Sequence, residues 1–226
     1  MRLCLIPARG GSKRIPGKNI RPFHGVPMLA RSVATAQASG VFDRIVVSTD
    51  SPAIAEVARE AGADVPWMRP AALSDDHATT MDVIEHALDV VDGVDALCCL
   101  YATAPFVRPG DLSEALEVFE RTGADYVFAS TEFPFPVQRG FALDADGGVR
   151  MAFPEHQNTR SQDLPEMFHD AGQFYWCRPD AVAARRPIFG PSSRVQLIPR
   201  TRAQDIDTPE DWDFAEALFA VLEARG

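Results

Sequence analysis

Four cations crowd one short loop near the start of this chain. Arg9, Lys13, Arg14 and Lys18 follow the apolar run Leu3-Cys4-Leu5-Ile6 and surround the glycine pair Gly10-Gly11. The whole chain carries a formal net charge of −10, so this local positive charge needs a local cause. An anion with several charges supplies one. Glycine lets backbone N–H groups come close to it, and the cations neutralise it. Two common phosphate loops fail to fit. G-x-x-x-x-G-K-[ST] is broken, because five residues separate Gly11 from Gly17 and Asn19 follows Lys18. G-x-G-x-x-G is absent, which also counts against a hydride-transfer enzyme using a dinucleotide. The loop is expected to bind phosphate in another geometry.

A second chemical signal lies near the other end. In Asp205-Ile206-Asp207 the two acids are two apart, so an extended backbone puts both on one side. Paired hard oxygens suit Mg²⁺, which binds carboxylates together with substrate phosphates. Ile206, turned into the core, would hold both acids outward. The bland alternative for Asp207 is a cap on the helix that follows.

These residues need elements to carry them, and the hydrophobic pattern supplies a strand–helix alternation. Leu3–Pro7, Arg44–Ser48, Asp95–Tyr101 and Asp125–Ser130 read as buried strands. Helices are expected from Pro27 to Ser39, from Pro52 behind a Ser51 cap, from Thr79 or Thr80, and from Pro109 to a stop at Gly123. The βαβα order predicts an α/β fold, a Rossmann-like three-layer αβα arrangement with a mainly parallel sheet. Ligands in such sheets bind beyond the carboxyl ends of the strands. Arg9–Lys18, Ser48-Thr49-Asp50 and Thr103-Ala104-Pro105 each follow a strand, so all three are expected at one edge.

The rhythm breaks over residues 131–170, where Pro134, Pro136, Pro154 and Pro165 interrupt a polar stretch. A structureless loop of roughly that length is improbable in a compact domain, so an extension with a task is expected, with a hairpin turn at Asp146-Gly147-Gly148. Strands return at Gly172–Cys177 and Arg194–Pro199. Thr208-Pro209-Glu210-Asp211 has capping-box spacing, and Phe214, Leu218, Phe219 and Leu222 are expected as the buried stripe of a last helix. Residues 1–226 read as one domain.

Composition narrows the function classes. With 46% hydrophobic residues and an acidic balance, the chain reads as soluble and globular, without a nucleic-acid or anionic-membrane partner. No apolar stretch approaches the ~20 residues of a membrane span. No signal peptide is read ahead of the first strand. Cys4, Cys98, Cys99 and Cys177 sit in apolar runs without metal spacing, and are expected to be reduced core residues of a cytoplasmic protein.

The segment Ile6-Pro7-Ala8-Arg9-Gly10-Gly11-Ser12-Lys13-Arg14-Ile15-Pro16-Gly17-Lys18-Asn19 resembles the N-terminal signature of the CMP-sugar synthetases, cytidylyltransferases of sialic acid and related keto acids. The similarity continues through Arg69-Pro70 with Asp75 or Asp76, Arg160-Ser161-Gln162-Asp163-Leu164-Pro165, and Asp205 and Asp207. It implies that Ala8, Arg9, Gly10, Gly11, Ser12, Lys18, Asn19, Arg69, Asp75 and Thr103 hold CTP. It implies Mg²⁺ on Asp205 and Asp207, with Arg9, Lys18 and Asp207 taking part in catalysis. It also implies a homodimer built through the 131–170 extension. Lys13 and Arg14, in the same loop, are left to the solvent. No general base stands out, Asp207 and a water being the options.

One departure bears on the sugar. Sialic acid members carry an R-x-N-G-A-I-Y type segment, whereas this chain has Phe168-His169-Asp170-Ala171-Gly172-Gln173-Phe174-Tyr175-Trp176. That form is similar to the branch acting on pseudaminic acid, a nonulosonic acid. Arg160, Gln162, His169, Gln173 and Tyr175 are the expected sugar contacts. A sister synthetase for sialic, legionaminic or Kdo-type sugars is the near alternative. A non-catalytic nucleotide-binding regulator is the distant one.

Overall fold

The computed structural model describes residues 1–224. In chain order the elements are β1 Arg2–Pro7, β2 Pro22–Phe23, β3 Val26–Pro27, α1 Met28–Ser39, β4 Arg44–Ser48, α2 Pro52–Glu60, α3 Thr80–Val90, β5 Ala96–Leu100, α4 Pro109–Thr122, β6 Tyr126–Glu132, β7 Phe141–Leu143, β8 Val149–Met151, β9 Phe168–Cys177, α5 Pro179–Ala183, β10 Ser193–Leu197 and α6 Pro209–Glu223.

Six strands form the main sheet in the order β10-β6-β9-β5-β1-β4. β1 pairs in parallel with β4 and β5, and β10 in parallel with β6. β9 runs antiparallel between β5 and β6, so the sheet is mixed and mostly parallel. Its inversion follows from the 133–167 excursion, which carries the chain out past the end of β6 and returns it from that end. β9 begins earlier than its apolar run suggests, because Thr131 and Glu132 pair with His169 and Phe168. The register shifts between Phe128 and Ser130, and Gly172 opposite this irregularity has φ +62°, which glycine adopts without steric cost.

Alternation along the strands splits the core between the two faces. Cys4, Ile6 and Cys98 pack with Leu29 and Val33 of α1, Ala58 of α2 and Leu112 and Phe119 of α4. Leu3, Leu5 and Cys99 pack with Val83, Ile84 and Ala87 of α3 and Ala181 and Val182 of α5. Adjacent Cys98 and Cys99 thus point to opposite faces, and all four cysteines are free and buried. Burial raises their thiol pKa values.

A third cluster lies at the carboxyl edge and joins distant segments: Ile15 of the first loop, Phe23, Met28, Phe106, Ile206, Trp212 and Ala215. Phe23 meets Trp212 and Phe219 edge-on, with ring centroids 5.5 and 5.2 Å apart. The stripe of α6 differs from the expectation at one position. Trp212 and Ala215 are buried while Phe214 is 57% exposed, because the helix turns its 212–215–219 line to the core. Capping matches the reading at Ser51 and at Thr208, where Asp211 closes the box, and of Thr79 and Thr80 it is Thr79 that caps α3. β7 and β8 form a hairpin, with Gly147 at φ +85° in its turn. No described helix is long and apolar enough to cross a membrane.

Candidate active site

Parallel pairing of β1, β4 and β5 brings their carboxyl ends together, and a cleft of about 650 Å³ opens there. Arg9, Ser12, Lys13, Arg14, Lys18 and Asn19 line it from the first loop. Arg69, Asp75 and Asp76 come from the segment before α3, Thr103 from behind β5, and Asp205 and Asp207 from the segment before α6.

The loop is held by its own short contacts. Asn19 Nδ2 donates to the Arg9 carbonyl at 2.9 Å, closing the loop upon itself. Gly10 N–H donates to Asp50 Oδ1 at 2.8 Å, and a Cβ on Gly10 would stand 3.0 Å from that of Ser51, so a larger residue would push the loop off β4's end. Ala8 is buried and its N–H goes to the Ser48 carbonyl, which ties the loop's start to β4. Gly11 faces open space. Ala8, Gly10 and Gly11 therefore shape the loop from just outside the cleft lining.

Opposite charges pair across the cleft. Lys18 Nζ donates to the Ile206 carbonyl at 2.6 Å and lies 3.4 Å from Asp207 Oδ1, while Arg14 meets Asp207 Oδ2 at 3.0 Å. Arg9 reaches Asp76 at 2.9 Å, and Lys13 reaches it at 2.5 Å. Lys13 and Arg14 are exposed, yet both belong to the cleft wall. Hydrogen bonds from Lys13 and Arg9 hold the Asp76 carboxyl below its usual range. Asp75 is held low by the backbone N–H groups of His77 and Ala78. Exposed pairs of this sort contribute little to stability, so an arriving anion displaces them at small cost.

Arg69 differs from the other cations. It is 6% exposed, its backbone is fixed to the Thr49 carbonyl at 2.7 Å, and its Nε and Nη2 have no partner. Desolvation lowers its pKa. A buried guanidinium with free donors lining a cleft is suited to an anion that completes it.

Asp205 and Asp207 flank Ile206, which is fully buried in the third cluster. The Asp205 carboxyl is raised, first by desolvation and then by the charge of Asp207. Two crowded carboxylates facing a cleft are a donor set that a hard divalent cation relieves. Among the described residues no cage of three or more His, Cys, Asp or Glu is gathered, so further oxygens would come from a bound phosphate or water.

The remaining expected contacts lie elsewhere. Arg160 pairs with Asp163 at 2.7 Å in a short turn of the excursion that also holds Gln162, away from the cleft lining. His169 packs its ring against Phe133, with centroids 4.8 Å apart. Gln173 is buried and donates to the Arg202 carbonyl. Tyr175 is buried behind Tyr101, with centroids 5.6 Å apart, and its hydroxyl donates to Asp170. Desolvation pushes the Tyr175 hydroxyl far up. The wall nearest these residues is made instead by Tyr101 and Thr80, whose hydroxyls are 3.3 Å apart, with Thr79 beside them. Tyr101 directly follows β5, so the rule of carboxyl ends could have found it. Thr79 and Thr80 read only as a helix start.

Comparison with known proteins identifies the family and the fold. A family model described as Cytidylyltransferase matches residues 3–214. A pseudaminic acid cytidylyltransferase of Campylobacter jejuni is 44% identical over 223 residues, covering 97% of this chain and 96% of that protein. A CMP-N,N'-diacetyllegionaminic acid synthase of Legionella pneumophila is 33% identical, covering 96% and 95%. The fold matches a solved CMP:2-keto-3-deoxy-manno-octonic acid synthetase complexed with CTP, with TM-score 0.71 and 18% identity over 97% of this chain and 98% of that one. Sequence, relatives and architecture together establish that the chain belongs to the cytidylyltransferase family.

Proposed function

We propose that this cytidylyltransferase transfers CMP from CTP to the anomeric hydroxyl of pseudaminic acid and releases pyrophosphate. The observation that carries the reading is the meeting of Lys18 with Asp207 and the Ile206 carbonyl at the cleft edge. It joins the cation loop to the carboxylate pair around a space fit for a chelated triphosphate. The 44% identity to a pseudaminic acid enzyme over nearly the whole chain supports the sugar.

In this reading Arg9, Lys18 and Arg69 bind the phosphates, with Ser12, Asn19, Asp75 and Thr103 completing the nucleotide side. Ala8, Gly10 and Gly11 keep the loop in shape. The sugar C2 oxygen attacks the α-phosphorus as the bond from that phosphorus to the bridging oxygen of the β-phosphate breaks. Pyrophosphate carries off the negative charge, which the loop cations neutralise. Asp205 and Asp207 would hold Mg²⁺, which supplies charge neutralisation at the reacting phosphate when bound. Asp207 or a water takes the proton of the attacking hydroxyl. The sugar sits toward Tyr101 and Thr80. Tyr175 acts from behind that wall, and His169 contributes from the start of β9, beside Phe133.

The excursion over 133–167 is proposed as a dimerisation arm within a single-domain chain. Phe141, Leu143 and Val149 on its hairpin are 57%, 68% and 64% exposed, an apolar surface suited to a second copy. Arg160 and Gln162 would then act on the sugar bound to the neighbouring subunit.

The test is a sugar panel. Purified protein is given CTP, Mg²⁺ and pseudaminic, N-acetylneuraminic, legionaminic or Kdo acid, and pyrophosphate is measured. Pseudaminic acid is expected to turn over fastest. No turnover with it, while another sugar reacts, would reject this choice of substrate.

A further inference from the structure

A buried polar cluster lies outside the cleft lining. Arg202 is 9% exposed and Asp111 7%. The guanidinium grips the Asp111 carboxylate with both nitrogens, Nη2 to Oδ1 at 2.9 Å, and Nη1 also donates to the Phe106 carbonyl at 3.2 Å. Gln173 of β9, likewise buried, donates its amide to the Arg202 carbonyl. Arg108 N–H donates to Asp111 Oδ2 at 2.8 Å, so the same carboxylate caps α4.

The place of this cluster in the chain gives it meaning. Arg202 lies three residues before Asp205. Downstream, Asp207 N–H is tied to the Asp211 carboxylate at 3.1 Å, and Ile206 is plugged into the third cluster. Phe106, whose carbonyl Arg202 holds, packs in that same cluster. The acidic segment is therefore clamped at both ends, and its upstream clamp is an ion pair out of water. Hydrophobic residues of similar size would often be no less stable there. A planar two-point grip fixes orientation as well as position.

We propose that Arg202, Asp111 and Gln173 are positioning residues that set the Asp205 and Asp207 carboxylates for the metal–nucleotide complex. This rests on the reading of those two acids as the metal-holding pair. Groups that orient metal ligands from behind typically govern metal affinity by about 10–100-fold.

The experiment compares CTP affinity by calorimetry with Mg²⁺ and with chelator, in the wild type and in Asp111→Asn, Gln173→Leu and Asp207→Asn, each checked by its melting curve. In Asp111→Asn the gain in affinity from Mg²⁺ is expected to shrink at least tenfold, with metal-free affinity changed less than threefold. A gain left intact, or equal losses with and without metal, would overturn the proposal, since a merely structural role moves both affinities alike. Should Asp111→Asn fail to fold, Gln173→Leu keeps the ion pair and decides by the same criterion. Asp207→Asn separates the two ideas. If it retains the full Mg²⁺ gain, the metal reading itself fails. If it loses the gain while Asp111→Asn and Gln173→Leu keep it, only the positioning claim fails.

Discussion

Lys18 and Ile206 stand 188 residues apart in sequence, yet the lysine ammonium donates to the isoleucine carbonyl at 2.6 Å. The bond lies above a shared apolar base, because Ile15 and Ile206 both enter the third cluster. Burying such side chains contributes roughly 1.5–3 kcal/mol each, more than the exposed ion pairs around them. The contact between loop and acidic segment is therefore set chiefly by packing, and the charges are left available for a ligand.

Lys18→Met should lower turnover by about 10²–10³-fold, the usual cost of losing one donor to developing charge. The melting temperature should change little, since Ile15 and Ile206 remain. Pyrophosphate release under saturating CTP and sugar gives the answer. Activity within threefold of wild type would remove Lys18 from the mechanism.

Asp207→Asn should cut turnover by orders of magnitude while the fold survives, because Thr208 and Asp211 still cap α6. Unchanged activity would refute a metal role for this carboxylate. Steady-state kinetics across a Mg²⁺ series and a circular dichroism spectrum suffice.

Arg69→Met should separate stability from binding. The buried Arg69 guanidinium has two unpartnered nitrogens, and desolvation lowers its pKa. Replacing it by an apolar chain of similar length should leave the ligand-free melting temperature equal or higher. CTP affinity should fall by about tenfold or more, since charge-assisted hydrogen bonds contribute about 1.5–3 kcal/mol. A variant that melts lower and still binds CTP normally would assign Arg69 a structural role.

Acid stability should depend on Asp211. Its carboxyl is held below the ordinary range, first by the Thr208 hydroxyl and then by the N–H groups of Thr208 and Asp207. A folded-state value below the unfolded one, about 3.9, stabilises the protein above the unfolded value. That contribution is lost as pH falls from about 5 through the lower folded value. Melting curves of wild type and Asp211→Asn should thus differ most near neutrality and converge in acid. A constant difference at all pH values would contradict this.

Phe141→Ser combined with Leu143→Ser should convert a dimer to a monomer if the hairpin forms the interface. Both side chains are already exposed in the single chain, so its melting temperature measured on monomer should be unaffected. Sedimentation at about ten micromolar, where a dimer with a dissociation constant of about 1 μM or below is mostly assembled, reads the outcome. Dimers that persist would place the interface elsewhere.

Much of this molecule could be read without coordinates, where the signal is local. Strands and helices showed in their periods, caps in Ser51, Thr79 and Thr208, and the helix stop in Gly123. The spacing of Asp205, Ile206 and Asp207 implied one buried residue between two outward acids, and Ile206 is indeed fully buried. Local signals suffice there because caps, turns and side-chain alternation depend on neighbours a few residues apart.

What the linear chain left undetermined depends on distant partners. The reversal of β9, the exposed Phe214, the unpartnered guanidinium of Arg69 and the Arg202–Asp111 pair all depend on which element packs against which. Gln173 is the clearest case. Its type suited a sugar contact, but the return of β9 turns its amide onto the Arg202 carbonyl. Hydrogen bonds and ion pairs across tens of residues leave no periodic trace in the sequence, so only folding assigns them.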